Sequence, residues 1–174
     1  LCAVRAGEPG RHVQVSLFDS QLAWLANRGT EASIAGWEPE RFGNAHPSIV
    51  PYETFPTTSA HIVVAVGTDL QFRSFCDAIG LAELGEDERF ATNPQRVANR
   101  TTLIPLLAEA TARFAPDDLL AALEARDVPS GPVRTIPEAL AAAPYALQPH
   151  VHPTAGPIST IRSPISFDGA HLTS

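Results

Sequence analysis

Methionine and lysine are missing from this 174-residue chain altogether, and cysteine occurs only at Cys2 and Cys76. Each scarcity excludes something. Without lysine, all 12 cationic side chains are arginine, set against 19 carboxylates for a net charge of −7. An acidic chain with scattered arginines has no basic patch to follow a nucleic-acid backbone, which argues against nucleic acid as the main partner. The guanidinium fork still suits a phosphorylated small molecule. Two cysteines with no CxxC and no Cys/His zinc spacing give neither a disulfide scaffold nor a metal site, so a reducing compartment is expected. No apolar run approaches the roughly 18 residues of a spanning helix, and no signal-peptide pattern is found. The chain therefore reads as soluble and cytoplasmic. The lack of methionine adds an expectation: with no start residue, a helix-like opening at Leu1–Arg5 and a polar close at Ser174, the sequence reads as a fragment.

What is present describes an ordinary globular protein, 44% hydrophobic and 18% charged, long enough for one good core or for pieces of a larger assembly. Taken in order, Gly7 to Gly10 reads as a turn and His12-Val13-Gln14-Val15 alternates like a strand. Ser16 then caps a helix with Asp19 three residues on, and Leu17, Phe18, Leu22, Trp24 and Leu25 wrap most of its circumference, which predicts burial. Strand, capped turn and buried helix are the grammar of an α/β domain. Gly29 to Glu40 reads as a connector broken by Gly36 and Pro39. Two strands are predicted at Tyr52–Phe55 and Ile62–Val66, joined by the turn Thr57–Ala60. Thr68 caps the next helix, with Gln71 as its box partner, Asp69 as a terminus charge and Phe72, Phe75, Cys76 and Ile79 as its buried stripe up to Gly80. Cys76 is accordingly a core hydrophobe.

Leu81–Glu88 reads as an acidic loop or single turn, and Asn93 as the cap of a long helix with Pro94 at its first position. Arg96, Asn99 and Arg100 share a polar face expected to be solvated, Val97, Leu103, Leu106 and Leu107 an apolar one, and Pro105 should kink or divide the helix near Thr101. Pro116 opens another helix with Leu119, Leu120 and Leu123 inward, ended sharply by Asp127–Pro132. Thr135 caps a short one at Pro137–Leu140. Tyr145–His152 reads as loose, followed by short strands near Pro157–Ile161 and Pro164–Phe167.

One stretch concentrates groups able to meet a ligand: Arg41-Phe42-Gly43-Asn44-Ala45-His46-Pro47-Ser48-Ile49-Val50-Pro51-Tyr52. Gly43 and Asn44 tolerate left-handed backbone, Pro47 and Pro51 hold their surroundings extended, and Asn44, His46, Ser48 and Tyr52 supply polar tips. An ordered connector and a ligand-binding loop both fit this composition. Elsewhere there is no Gly-rich phosphate loop, no GxSxG, no HExxH and no paired-carboxylate spacing. His150 and His152 would share one face of a strand, but without carboxylate or cysteine neighbours no metal is assigned to them.

Several of these runs, in this order, resemble the family III CoA-transferases, the CaiB/BaiF group. They are Arg11–Ser20, Arg41–Tyr52, Val64–Phe72, Glu88–Asn93 with Arg96, Asn99 and Arg100, Val128–Val133, His152–Pro157 and Ser163–Ile165. The α-methylacyl-CoA racemases share the fold and usually carry Glu-Pro-Gln-Phe where this chain has Asp69-Leu70-Gln71-Phe72; Leu70 in place of proline favours the transferase. The resemblance implies an α/β protein in which a large Rossmann-like domain is split by a small α+β domain and two chains interlock. Residues 1–35 would end the first large-domain segment, 36–56 would link to it as an active-site-proximal loop, 57–142 would form the small domain, and 143–174 would return to the large one.

It further implies transfer of CoA from an acyl-CoA thioester to a carboxylic acid through an aspartyl intermediate, with coenzyme A as substrate and no resident cofactor. The aspartate belongs upstream of the segment resembling His12–Asp19, so no catalytic residue is assigned here and the isolated chain is expected to be inactive. Gly43, Asn44, Ala45, His46, Pro47 and Tyr52 are the expected substrate-proximal residues. In some members the corresponding loop is a glycine-rich lid, whereas here it is short and carries His46 and Pro47. A second, non-enzymatic reading of the isolated chain is a dimerisation module held by the apolar surface of Leu17–Ala26.

Overall fold

The computed structural model describes residues 2–7, 9–36, 38, 40–167 and 170–171, and divides into two units, Leu1–Gly43 and Asn44–Ser174. In the first unit α1 (Cys2–Arg5) stops at a turn in which Gly7, at φ 89°, donates its N–H to the Val4 carbonyl at 3.0 Å. α2 (Leu17–Trp24) is capped by Ser16, whose hydroxyl accepts the Asp19 N–H at 3.3 Å.

Three expectations fail in this unit. His12–Val15 is not a strand: it has no ladder partner among the described residues, and Val13 and Val15 are exposed. A strand's N–H and C=O groups need a neighbouring strand, and alternation alone supplies none. α2 buries no residue, leaving Leu17 85% and Trp24 88% exposed. The connector expected over Gly29–Glu40 is instead α3 (Ala26–Ala35), because one interior glycine costs only about 1 kcal/mol and the Arg28–Glu31 pair supports the turn. Gly36 does end it, at φ 63° with its N–H on the Ala32 carbonyl. Pro39, the other expected breaker, lies outside the described residues.

The second unit is built on an antiparallel sheet, β1 (Tyr52–Pro56), β2 (His61–Ala65) and β3 (Ser130–Pro132), in the order β1-β2-β3. Phe55 pairs with Ile62 and Val64 with Ser130, so alternate residues Phe55, Ile62 and Val64 turn to one side and are buried. Thr57 closes the β1–β2 turn by donating both its N–H and its hydroxyl to the Ala60 carbonyl, at 2.8 and 2.7 Å. α4 (Asp69–Ala78) starts at the Thr68/Gln71 capping box and lays Phe72, Phe75 and Cys76 into the core, with Ile79 at its C-cap and Gly80 at φ 76° beyond. α5 (Ala82–Gly85) is a single turn.

The predicted long helix is two helices, α6 (Asn93–Ala98) and α7 (Arg100–Thr111), divided at Asn99 rather than near Thr101. At the break the Asn99 amide donates to the Gln95 and Arg89 carbonyls, competing with the regular ladder. The cap is Thr92, boxed with Gln95, and not Asn93, whose side chain is engaged elsewhere. Leu103 and Leu107 are buried, while Leu106 faces out. α8 (Pro116–Glu124) adds Leu119 and Leu123 to the core and packs on β3. β3 itself, three residues rich in Gly and Pro, carries no periodicity that could have announced it. α9 (Ile136–Ala142) is boxed by Thr135 and Glu138. The stretch expected to be loose after it holds a 3₁₀ turn, Pro144–Ala146, and then β4 (Leu147–His152), which pairs with β5 (Gly156–Ile161). A last short pair is β6 (Ser166–Phe167) with β7 (Ala170–His171). Among the described residues no helix is long and apolar enough to cross a membrane.

Candidate functional site

Gly43, at φ 62°, is the last residue of the first unit, and the polar loop it leads into opens the second. Asn44 fastens the start of the loop to β1: its amide donates to Thr54 Oγ1 at 2.7 Å and its carbonyl oxygen accepts the Thr54 N–H at 3.4 Å. The His46 N–H closes the loop onto the Tyr52 carbonyl at 2.8 Å. Val50 is buried and joined to Pro51 by a cis peptide, and the Pro51 carbonyl accepts the Val66 N–H at 3.0 Å, continuing β2.

The far side of the loop is held by three side chains, Asn93 and Arg96 one turn apart on α6 and Arg100 at the start of α7. Asn93 accepts the Val50 N–H at 3.0 Å and donates to the Ser48 carbonyl at 2.8 Å. Arg96, only 1% exposed, donates from Nε to the Val50 carbonyl at 2.7 Å, from Nη1 to the Phe90 carbonyl at 3.0 Å, and from Nη2 to Asp69 Oδ1 at 2.8 Å. Its guanidinium carbon also sits 4.5 Å from the centre of the Phe72 ring. Arg100 donates to the His46 carbonyl and, at 3.2 Å, to the Pro47 carbonyl, with Glu53 Oε1 3.8 Å from its Nη1.

Arg96 and Arg100 were expected on a solvated face, and the structure corrects this. A guanidinium presents several N–H groups in fixed directions, so it can satisfy several buried carbonyls that a bend in the chain leaves without a ladder partner. Asp69, the expected helix-terminus charge, stands in the first turn of α4 and is also the counter-ion of Arg96. Glu53 is the least comfortable group here: burial raises its carboxyl above the ordinary range, the Arg100 charge pulls it back, and Oε1 is a buried oxygen without a hydrogen bond.

Of the sequence-predicted site residues, Asn44, Ala45, His46, Pro47 and Tyr52 are brought together in this loop. The His46 and Tyr52 rings stack with centroids 5.4 Å apart and planes 13° from parallel. His46 Nδ1 accepts the Ser48 N–H at 3.2 Å, with Ser48 Oγ 3.5 Å away. Tyr52 is 39% exposed. Asn93, Arg96, Arg100 and Glu53 are not among the sequence-predicted site residues, although the 93/96 spacing, about one helical turn, could have pointed to a shared task.

Other candidates stay apart from this chemistry. Cys76 is fully buried and its thiol is pushed up to about 12 by burial, so it is no thiolate nucleophile. His152 Nδ1 accepts the N–H groups of Thr154 and Ala155 at 3.3 and 3.2 Å, a turn-closing role, and among the described residues no three His, Cys, Asp or Glu side chains cluster as a metal site. A groove of about 570 Å³ beside α8 and β3 is lined by Asp117, Glu124, Asp127 and Arg134, a charge balance ill suited to the phosphates of CoA. The carboxylates at the loop, Asp69 and Glu53, each stand beside an arginine, Arg96 and Arg100.

Comparison with known proteins gives the family and the fold. The profile of CoA-transferase family III matches residues 1–174. A succinate–glutarate CoA-transferase of Agrobacterium fabrum is 42% identical over 139 residues, which cover 80% of this chain and 34% of that protein. A human succinyl-CoA:glutarate CoA-transferase is 35% identical over 155 residues, covering 86% and 35% respectively. The crystal structure of a CaiB/BaiF family protein from Brucella suis superposes with a TM-score of 0.79 at 38% identity, over 99% of this chain and 45% of that one. The chain thus spans about a third of the length of the curated relatives it matches. It belongs to CoA-transferase family III.

Proposed function

We infer that the complete protein exchanges CoA between an acyl-CoA thioester and a carboxylic acid, and that the loop over residues 44–52 forms part of the wall of its acyl site. The observation that carries this reading is the 42% identity, along four-fifths of this chain, to a succinate–glutarate CoA-transferase. An aspartate carboxylate outside these 174 residues attacks the thioester carbonyl and expels the CoA thiolate, leaving a mixed anhydride. The thiolate attacks the aspartyl carbonyl, releases the donor acid and forms an aspartyl-CoA thioester. The acceptor carboxylate then repeats the two steps in reverse, which regenerates the aspartate. Dividing the exchange into such acyl transfers avoids a direct, slower displacement.

Substrates of short dicarboxylic type follow from the relatives' names, which include glutarate and oxalate transferases. A homodimer of interlocked chains working in the cytoplasm, with residues 1–35 and 143–174 belonging to a large Rossmann-like domain, completes the proposal. The bare α2 surface fits a segment that another part of such an assembly covers.

The test is an assay of the complete protein with succinyl-CoA and labelled glutarate or oxalate, following label into the CoA ester. Exchange of the α-proton of a 2-methylacyl-CoA with solvent, with no CoA transfer, would instead establish the racemase chemistry; the relatives named above are all transferases, which supports transfer. The 174-residue chain alone is expected to transfer nothing.

A further inference from the structure

Four restraints converge on His46. Its N–H is spent on the Tyr52 carbonyl, its carbonyl accepts from Arg100, its ring lies against Tyr52, and Nδ1 accepts the Ser48 N–H. The last restraint has a chemical consequence. A neutral imidazole that accepts at Nδ1 must carry its proton on Nε2. Among the described residues no hydrogen bond is made to Nε2, and the residue is only half-buried. The same local device recurs at His152-Pro153-Thr154, where Nδ1 again accepts the N–H two residues on, so a His-Pro-Ser/Thr turn is enough to set the tautomer. At His152 that turn is exposed hairpin. At His46 its carbonyl is held by the part-buried Arg100 and its ring is stacked against Tyr52.

We propose that His46 is a fixed-tautomer hydrogen-bond donor, presenting Nε2–H to a carboxyl-level oxygen of the substrate, either the carboxylate of the acid or the carbonyl oxygen of the thioester. The proposal rests on the transferase reading and assigns the loop a role within it. His46 neither takes nor gives up a proton; it donates a hydrogen bond from a site whose orientation is set before substrate arrives, which is what makes such a bond effective in a preorganised site. Arg100 and Ser48 are positioning residues, acting through the His46 carbonyl and Nδ1.

Two substitutions separate this role from a purely structural one. His46→Asn places an amide oxygen near the Nδ1 position, so the Ser48 N–H keeps its acceptor while the Nε2 donor is lost. His46→Gln places an amide N–H near the Nε2 position and loses the acceptor. In the complete protein, with succinyl-CoA as donor and glutarate and oxalate as acceptors, the donor role predicts that Asn, which keeps the Ser48 contact but not the Tyr52 stack, melts above Gln yet loses roughly ten- to a hundredfold in kcat/KM, the range for one hydrogen bond to a charged group. Gln is expected to retain more activity than Asn despite a lower melting temperature. A rise in KM for the acid identifies the carboxylate as the partner; a fall in kcat with unchanged KM identifies the thioester oxygen. Wild-type kinetics in His46→Asn, or better activity in Asn than in Gln, overturns the proposal.

A second readout needs no turnover. With ¹⁵N-histidine in the complete protein, His46 is expected as the Nε2–H tautomer, with its Nε2 resonance moving when succinyl-CoA or either acid is added. A proton on Nδ1, or no movement with any of the three, overturns the proposal. If the wild type exchanges no CoA, the transferase reading falls, and this titration still decides the role of His46.

Discussion

Arg96 reaches across 46 positions of sequence to the carbonyl of Val50, with Nε 2.7 Å from the oxygen, and so fixes the buried end of the candidate loop to α6. Removing it leaves two buried carbonyls, those of Val50 and Phe90, without their donors. An unsatisfied buried acceptor costs about 1–3 kcal/mol. Asp69, 45% exposed, is rehydrated and adds little. Arg96→Met should therefore destabilise the chain by about 2–6 kcal/mol in urea denaturation, and Arg96→Lys should recover only a minor part, since one ammonium cannot point in three fixed directions. A wild-type urea midpoint for Arg96→Met would show that the network is energetically idle.

This pair also marks what could be read from the chain alone. Thr68, Gln71, Phe72, Phe75, Cys76 and Gly80 follow local rules of capping, helical period and termination, and the structure places each as those rules require. Arg96 looked like a solvated cation because nothing local distinguishes a helix face that meets water from one that meets a bend of the chain 46 residues away. The same limit governs α2 and His12–Val15, where a correct apolar pattern describes a surface but not what lies against it. The loop composition over residues 44–52 was legible; its anchoring by Asn93, Arg96 and Arg100 was a tertiary fact.

Glu53 makes the stability of this site depend on pH. Its carboxyl is raised by burial, so it favours the folded state only while protonated. That contribution is fully present below its ordinary value of 4.5 and is lost as pH rises through the elevated folded value. Glu53→Gln should therefore gain stability relative to wild type on going from pH 4 to pH 7. Arg100→Ala removes the cation that pulls the carboxyl down, so it should sharpen this dependence, and adding Glu53→Gln should recover part of the loss. Parallel melting curves at the two pH values would expose a flat difference, which contradicts the assignment.

Cys76 gives the opposite end of the scale. With its folded value near 12 against an ordinary 9.0, the thiol stays protonated in the fold where the unfolded chain would ionise. The stabilising contribution is intact below pH 9 and declines as pH rises towards 12, by at most about 1.4 kcal/mol per pH unit. In a Cys2→Ser background the folded chain should react with a thiol reagent at pH 8 only as fast as it opens. Cys76→Ala should remove the alkaline slope while losing packing throughout. Rapid labelling of the native protein would rule out the buried position.

The first unit yields a prediction about association. Leu17, Phe18 and Trp24 are exposed to 85%, 69% and 88%, on a helix that Ser16 caps and that no other described residue buries. Apolar surface in water is favourable to remove, at about 25 cal/mol for each Å². A second copy of the chain is one surface that can cover these side chains. Sedimentation equilibrium of this chain should accordingly show concentration-dependent self-association that Trp24→Glu weakens, while the melting of the second unit, Asn44–Ser174, stays unchanged because its core holds no α2 residue. A monomer persisting at high concentration, with α2 helicity retained, would show that the exposed face of α2 does not drive assembly.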